Sequence, residues 1–336
     1  MYHYQQLKSA LNTSQFRALA DRFEAIQNTG DLGKLLQKQD SALYALAESP
    51  KYHGFHIPKP GGERRFIQNP EPNLKKVQAQ LNSCLQALYY FVRPRSAHGF
   101  LSSPCDEAQP RNIYTNALAH MRGHWFLNVD LRDFFHTVST QHITDLFQNT
   151  LGFTPSVAKL IAGISCYKGC LPMGAPSSPI LSNWVLYFLD RHFEGLAAER
   201  EGTYTRYADD LSFSFPRPPE EQFLDLLRRE ILKHGFQVNE KKVRLQGRLE
   251  QPEITGLCIG KGQRPVLSKA FLKTVKKEIA IYRWLVDETA QRRGLFPAWL
   301  FDQFRKSLAG QVEFAGFVLG KGDRGCQRLV GRLNWG

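Results

Sequence analysis

The segment TRYADDLSFSF, residues 205 to 215, constrains the fold more than any other stretch of this chain. Around Asp209 and Asp210, the large residues Tyr207, Leu211, Phe213 and Phe215 alternate with small or polar ones. That period of two predicts two β-strands meeting at a tight bend, with the Asp pair at its tip. Asn-Gly or Asp-Gly would turn the chain more easily. Two carboxylates about 4 Å apart repel by roughly 4 kcal/mol at an effective dielectric near 20. A hairpin that keeps them needs positive charge nearby.

Positive charge is plentiful and unevenly spread. The 336 residues carry 44 Lys and Arg against 31 Asp and Glu, a net charge of +13. From Lys261 onward there are fifteen basic and six acidic residues, so this last segment holds most of the excess. A concentrated basic segment points to a polyanionic partner, nucleic acid above all. A hydrophobic content of 42% argues against disorder. No apolar run approaches the ~20 residues of a membrane span, and the N-terminal MYHYQQLKSALNTSQ lacks the basic start and apolar core of a secretory signal. A soluble, cytoplasmic protein with no membrane partner is expected. The six cysteines are scattered, and Cys166 and Cys170 alone make weak evidence for zinc, so reduced structural thiols are expected.

Along the chain, residues 1–50 read as a helical lead-in with apolar spacing at Phe16, Leu19, Phe23 and Ile26. Strand, Pro-Gly-Gly turn, strand and a helix from about Asn73 follow. HWFLNVDLRDFF predicts a buried strand ending at Asp130, and GCLPMGAPSSPILSNWVLYFLDRHF a loop leading into an apolar helix from about Ser178. An amphipathic helix is predicted over 219–234, then two short strands, GFQVN and EITGLCIG. In the basic tail Ser268 predicts an N-cap, and Phe271, Val275, Ile279, Tyr282 and Val286 one apolar face.

If the strand-end Asp130 and the hairpin pair Asp209 and Asp210 lie on adjacent strands, three carboxylates converge. Two divalent ions about 3.5–4 Å apart, bridged by carboxylates, are a standard device for in-line phosphoryl transfer. Oxygen ligands beside a phosphate substrate favour Mg²⁺.

LNVDLRDFF, LPMGAPSSPILSN, YADD, GFQVNEKK and ITGLCIG occur in the order and approximate spacing of the palm motifs of reverse transcriptases, with PKPGGERRFI as a fingers element. The resemblance covers about residues 50 to 260. It implies an α+β, right-hand polymerase fold: an N-terminal helical region over 1–50, fingers with an inserted segment over 51–125, a palm over 126–260 whose residues 140–170 are fingers-associated helices, and a basic helical thumb over 261–336. It implies RNA-directed DNA polymerase activity with two Mg²⁺ ions held by Asp130, Asp209 and Asp210, Leu131 adjoining them and Asp210 in direct or supporting contact. Lys242, or its neighbour Lys241, would protonate the leaving pyrophosphate. Lys59 and Arg65, with Arg64 as the competitor, would grip the incoming triphosphate. Asp133, Phe134, Phe135, Met173 and Gly174 would line the dNTP pocket, with Phe135 crowding the sugar 2′ position. Met173 replaces a Gln found in many relatives and removes a side-chain amide there.

Two smaller motifs, NALAH from Asn116 to His120 and ITG from Ile254 to Gly256, resemble retron elements. The retron resemblance implies a cognate structured non-coding RNA as partner, priming from a guanosine 2′-hydroxyl, a branched RNA–DNA product, and a separate effector protein in antiphage defence. Asn116, His120, Lys273, Lys276, Lys277 and Arg283 would bind the RNA. Rival expectations are a group II-like, diversity-generating or abortive-infection enzyme, or a non-catalytic RNA-binding scaffold.

Overall fold

The computed structural model describes residues 9–331 apart from 59–61, 63, 261, 292–296, 321, 324–326 and 330. Asn12 opens α1 (Thr13–Glu24) with a capping box to Gln15, and Phe16, Ala20 and Phe23 point inward. Then come α2 (Thr29–Leu35) and α3 (Asp40–Glu48). Next, β1 (Tyr52–Pro58) and β2 (Arg64–Pro70) pair antiparallel from Tyr52↔Pro70 to Pro58↔Arg64. These are the two strands expected on either side of the Pro-Gly-Gly segment. Helix α4 (Pro72–Val92) starts with Pro at its first position, where a missing N–H costs nothing. It buries Leu74, Val77, Leu81 and Leu85, a helical stripe that packs on α1.

A short helix, α5 (Ile113–Ala119), precedes β3 (Trp125–Asp130). The chain continues through α6 (Phe134–Thr137), α7 (Thr140–Asp145), α8 (Pro155–Ser165), α9 (Ser178–Val185) and α10 (Tyr187–Ala198). Strands β4 (Thr203–Tyr207) and β5 (Asp210–Phe215), helix α11 (Glu221–Lys233) and strand β6 (Arg244–Gly247) complete the central layer. The sheet order is β4-β5-β3-β6 with antiparallel neighbours. Leu211, Phe213 and Phe215 are buried on one face, with Phe193 of α10 and Phe223 of α11 stacked edge-on against Phe213. Each such side chain contributes about 1.5–3 kcal/mol by leaving water. Ser212 and Ser214 are also buried, so helices cover both faces of the sheet.

A three-stranded sheet of β7 (Glu253–Ile254), β8 (Leu257–Cys258) and β9 (Val266–Leu267) follows, then the long helices α12 (Lys269–Gln291) and α13 (Ala298–Leu319). The Ser268 hydroxyl accepts from the Phe271 N–H at 3.1 Å, as the expected N-cap should. Val275, Ile279 and Tyr282 are buried against Leu308, Val312 and Ala315 in a second apolar cluster, while Val286 is exposed. Among the described residues no helix is long and apolar enough to cross a membrane, and Cys84, Cys105, Cys166, Cys170 and Cys258 are free thiols.

Three local expectations are corrected. The central hairpin turns on Ala208 and Asp209, since Tyr207 and Asp210 are already register partners. Ala208 takes the left-handed φ of +61, which costs a non-glycine residue roughly 1–2 kcal/mol. GFQVN forms no strand. Its main chain bonds to the loop after β3 (Arg132 N–H to Gln237 O, 2.8 Å) and to Asp130, leaving only an isolated bridge between Leu131 and Val238. EITGLCIG is two strands around a Thr255-Gly256 turn with φ of +49 and +78, the left-handed pair of a two-residue hairpin.

Candidate active site

Asp130 is the last residue of β3 and Asp210 the first of β5, and the two are cross-strand partners. The sequence marks Asp130 as a strand end and puts both Asp209 and Asp210 in the bend; the antiparallel register sets Asp130 opposite Asp210. Asp209 stands in the adjoining turn, its carbonyl accepting from the Leu131 N–H at 3.0 Å.

The counter-charge comes from the segment after α11. Lys242 Nζ donates to Asp130 Oδ2 at 2.7 Å, and Asn239 Nδ2 donates to Asp130 Oδ1 at 3.0 Å. Of the lysine pair, Lys242 is the one that reaches Asp130. Although burial alone would lower its pKa, the three aspartates hold Lys242 above its ordinary value and therefore protonated. Burial first, then the charges of Asp209 and Asp130, push the Asp210 carboxyl up to about 7. Asp209 is raised by burial and by Asp130, with Lys242 and Arg65 pulling the other way. One ammonium does not neutralise three carboxylates, and a bound cation would relieve what remains. Carboxylate oxygens are the donor type that suits Mg²⁺. Among the described residues no group of three or more acidic, His or Cys side chains stands ready to hold a metal ion; Asp130 is engaged by Lys242 and Asn239.

The surrounding pocket residues divide by burial. Arg65 is exposed on β2 and close enough for its charge to act on Asp209, whereas Lys59 lies outside the described residues. Asp133 has a φ of +47 and lines a cleft of about 320 Å³ with Arg132, Thr137, Gly235 and Gln237. Phe135 is half-buried, its ring 5.8 Å from Phe100 and 5.3 Å from Phe134. The Phe134 ring is buried against Phe236 at 6.0 Å, which leaves its main chain as the part that can line a pocket. The Met173 carbonyl accepts from the Gln68 N–H at 2.7 Å, tying this loop to β2. Gly174 has φ +127, and a Cβ there would stand 2.8 Å from the Gln68 carbonyl, so only glycine fits. Gln68 is itself buried with its Oε1 unpartnered.

Lys273, Lys276, Lys277 and Arg283 are exposed on α12, available to a polyanion. Asn116 and His120 are not. Both are fully buried, and His120 bridges Thr205 Oγ1 (2.7 Å) and Ser214 Oγ (2.8 Å) behind the central sheet. Direct RNA contact at these two residues is therefore corrected, because neither presents surface; His120 braces the sheet instead. Sequence reasoning passed over Asn239 and Arg206, although Asn239 lies within the quoted GFQVNEKK and Arg206 directly precedes Tyr207.

Residues 57–259 match the family model described as reverse transcriptase (RNA-dependent DNA polymerase). The retron Ec86 reverse transcriptase of Escherichia coli is 32% identical over 260 residues, covering 75% of this chain and 78% of that enzyme. The retron Mx162 and Mx65 reverse transcriptases of Myxococcus xanthus are 31% and 33% identical, and the matches cover 55% and 51% of their lengths, so this chain spans about half of each. Among solved structures, telomerase from Candida albicans in complex with a fragment of telomeric RNA aligns at a TM-score of 0.46 and 10% identity, over 86% of this chain and 64% of that one. A family model that spans β2, the aspartate sheet and the lysine turn, and a retron enzyme alike over three quarters of the chain, leave one assignment: this chain belongs to the reverse transcriptase (RNA-dependent DNA polymerase) family, in its retron branch.

Proposed function

We propose that this chain binds a cognate structured non-coding RNA and, primed from a guanosine 2′-hydroxyl within it, copies part of that RNA into branched multicopy single-stranded DNA. The observation that carries the chemistry is the Asp130–Asp210 register pair with Asp209 in the adjoining turn. Two Mg²⁺ ions held by these three carboxylates, with the Leu131 main chain beside them, would stabilise the attacking and the leaving oxygen. Asp130, Asp209 and Asp210 supply the negative cradle, and Asn239 orients Asp130 through its amide. Lys242 keeps a proton at Nζ for the departing pyrophosphate. Arg65 presents a guanidinium to the triphosphate of the incoming dNTP, and Lys59 is its proposed companion.

Exposed Lys273, Lys276, Lys277 and Arg283 face the RNA, and Trp284, 58% exposed two turns beyond Lys277, adds an aromatic surface for an unpaired base. A separate effector protein and a role in antiphage defence complete the proposal by analogy with the branch.

The product tests it. Nucleic acid from cells expressing the protein with its RNA should contain RNase-resistant DNA that remains joined to RNA through a 2′,5′ linkage and is released by a debranching enzyme. DNA synthesis without that linkage would indicate a group II-like, diversity-generating or abortive-infection mode, and absence of DNA synthesis would leave an RNA-binding scaffold.

Phe135 gives a narrower expectation. Its half-buried ring stands on Phe100 and Phe134, from where it would crowd the sugar 2′ position. Phe135→Val should raise ribonucleotide over deoxyribonucleotide incorporation by at least about tenfold, the ~1.4 kcal/mol of a relieved steric clash. Competition between rNTP and dNTP in primer extension measures it, and an unchanged ratio would assign the ring to packing alone.

A further inference from the structure

Arg206 is 1% exposed and lies in the palm beneath the aspartate turn. Its guanidinium grips Asp190, itself fully buried on α10, through Nε to Oδ1 (2.8 Å) and Nη2 to Oδ2 (2.6 Å). That fork accounts for two of the five N–H donors. Two others belong to Nη1, which donates to Asn183 Oδ1 at 2.9 Å and to the Ala208 carbonyl at 3.0 Å. The Ala208 carbonyl belongs to the peptide that carries Asp209, and Ala208 is the residue in the left-handed conformation.

The turn is also held from its outer side. Asn183 Nδ2 donates to the Gly99 carbonyl at 3.0 Å, and Gly99 packs so closely that a Cβ there would lie 2.5 Å from the Ala208 nitrogen. The peptide after Asp209 is fixed as well, by the Leu131 N–H. Asp209 thus hangs between two anchored peptides, which fix the direction in which its side chain leaves the backbone.

A buried ion pair is weak evidence for stability, because well-packed apolar residues of similar volume often serve as well. An apolar replacement could fill the space of Arg206, but it could not hold the Ala208 carbonyl. We propose that Arg206, seated by Asp190 and Asn183, is a positioning residue that clamps the Ala208 turn and so aims Asp209 at the cation site. The proposal rests on the polymerase function proposed above and adds to it a residue that touches neither substrate nor metal.

The test uses the full chain with an RNA template and DNA primer. Arg206→Lys keeps a charge for Asp190 but loses the planar fork and its reach to Ala208. It should raise the Mg²⁺ concentration for half-maximal rate and lower kcat, each about tenfold, with KM for dNTP changed less than threefold. Mn²⁺ affinity, followed by electron paramagnetic resonance on the same complex without turnover, should fall by a similar factor. Adding Ala208→Gly should recover at least threefold of both losses, since glycine adopts the turn conformation unaided. If Arg206→Lys yields no folded protein, Asn183→Ala should show the same pattern at about threefold, with thermal midpoint recorded alongside. An unchanged metal requirement, a loss that merely tracks the folded fraction, or no recovery with glycine would overturn the assignment. A wild type that binds Mn²⁺ but incorporates no dNTP would instead defeat the proposed function, and Arg206 would still be judged by Mn²⁺ affinity.

Discussion

Asp209→Asn is expected to lower Mg²⁺-dependent DNA synthesis on an RNA template by at least about 10³-fold, the ~4 kcal/mol that follows when a metal loses an anionic ligand at the reacting phosphate. The substitution is close to isosteric, and both neighbouring peptides are anchored, by Arg206 at the Ala208 carbonyl and by Leu131 at the Asp209 carbonyl. The turn should therefore survive, and the effect should belong to the lost charge. Burial and Asp130 already disfavour the Asp209 carboxylate in the metal-free protein. Removing it should leave the thermal midpoint at pH 8 equal or slightly higher without Mg²⁺, and should abolish the stabilisation that Mg²⁺ gives the wild type. Single-turnover dNTP incorporation and a Mg²⁺ titration of the midpoint provide the two readouts. Activity within threefold of wild type would remove Asp209 from the site, and a collapse of the midpoint would mean that the variant reports folding.

How far such a site could be read in advance depended on the range of the forces involved. Asp130 was legible as a strand end and the Asp pair as part of the next bend because of their period of two, and antiparallel pairing sets Asp130 opposite Asp210. Lys242 answered the demand for a counter-charge that two adjacent carboxylates had raised. The turn itself was placed one residue late. A left-handed alanine is locally unfavourable, and what sustains it is tertiary: Gly99 packs on it from a distant segment, and Arg206 reaches it only because Asp190 and Asn183 hold the guanidinium. GFQVN carries strand-forming residues yet spends its main-chain bonds on the loop after Asp130, a tertiary choice that propensity does not encode. Asn116 and His120 were found by pattern, but a pattern does not say which side of a helix meets the core. Their burial came from where α5 docks on β4.

That burial has a cost at low pH, and acid should unfold this protein through its histidines. His120 is fully enclosed between Thr205 and Ser214, and burial pushes its pKa down to about 3. His98, 8% exposed and bonded to Thr115 Oγ1 at 2.9 Å, is pushed down to about 3 by burial and then by the charges of Arg111 and His120. Because both folded values lie below the ordinary 6.5, the unfolded chain binds more protons between those limits. Stability is complete above about pH 6.5 and is lost as pH falls toward 3. At pH 4.5 each histidine should favour the unfolded chain by roughly 2–3 kcal/mol, a large share of the 5–15 kcal/mol typical of a folded protein. Asp210 acts in the opposite sense: its raised pKa makes the metal-free protein gain stability as pH falls through about 7 toward 4. A variant that shares Asp210 isolates the imidazole. His120→Gln keeps an amide that can bond Thr205 and Ser214 but has nothing to protonate. Urea midpoints of the metal-free proteins at pH 7.5 and 4.5, at constant ionic strength, should fall less for His120→Gln by the equivalent of about 2 kcal/mol. Parallel losses in the two proteins would show that the acid sensitivity lies elsewhere.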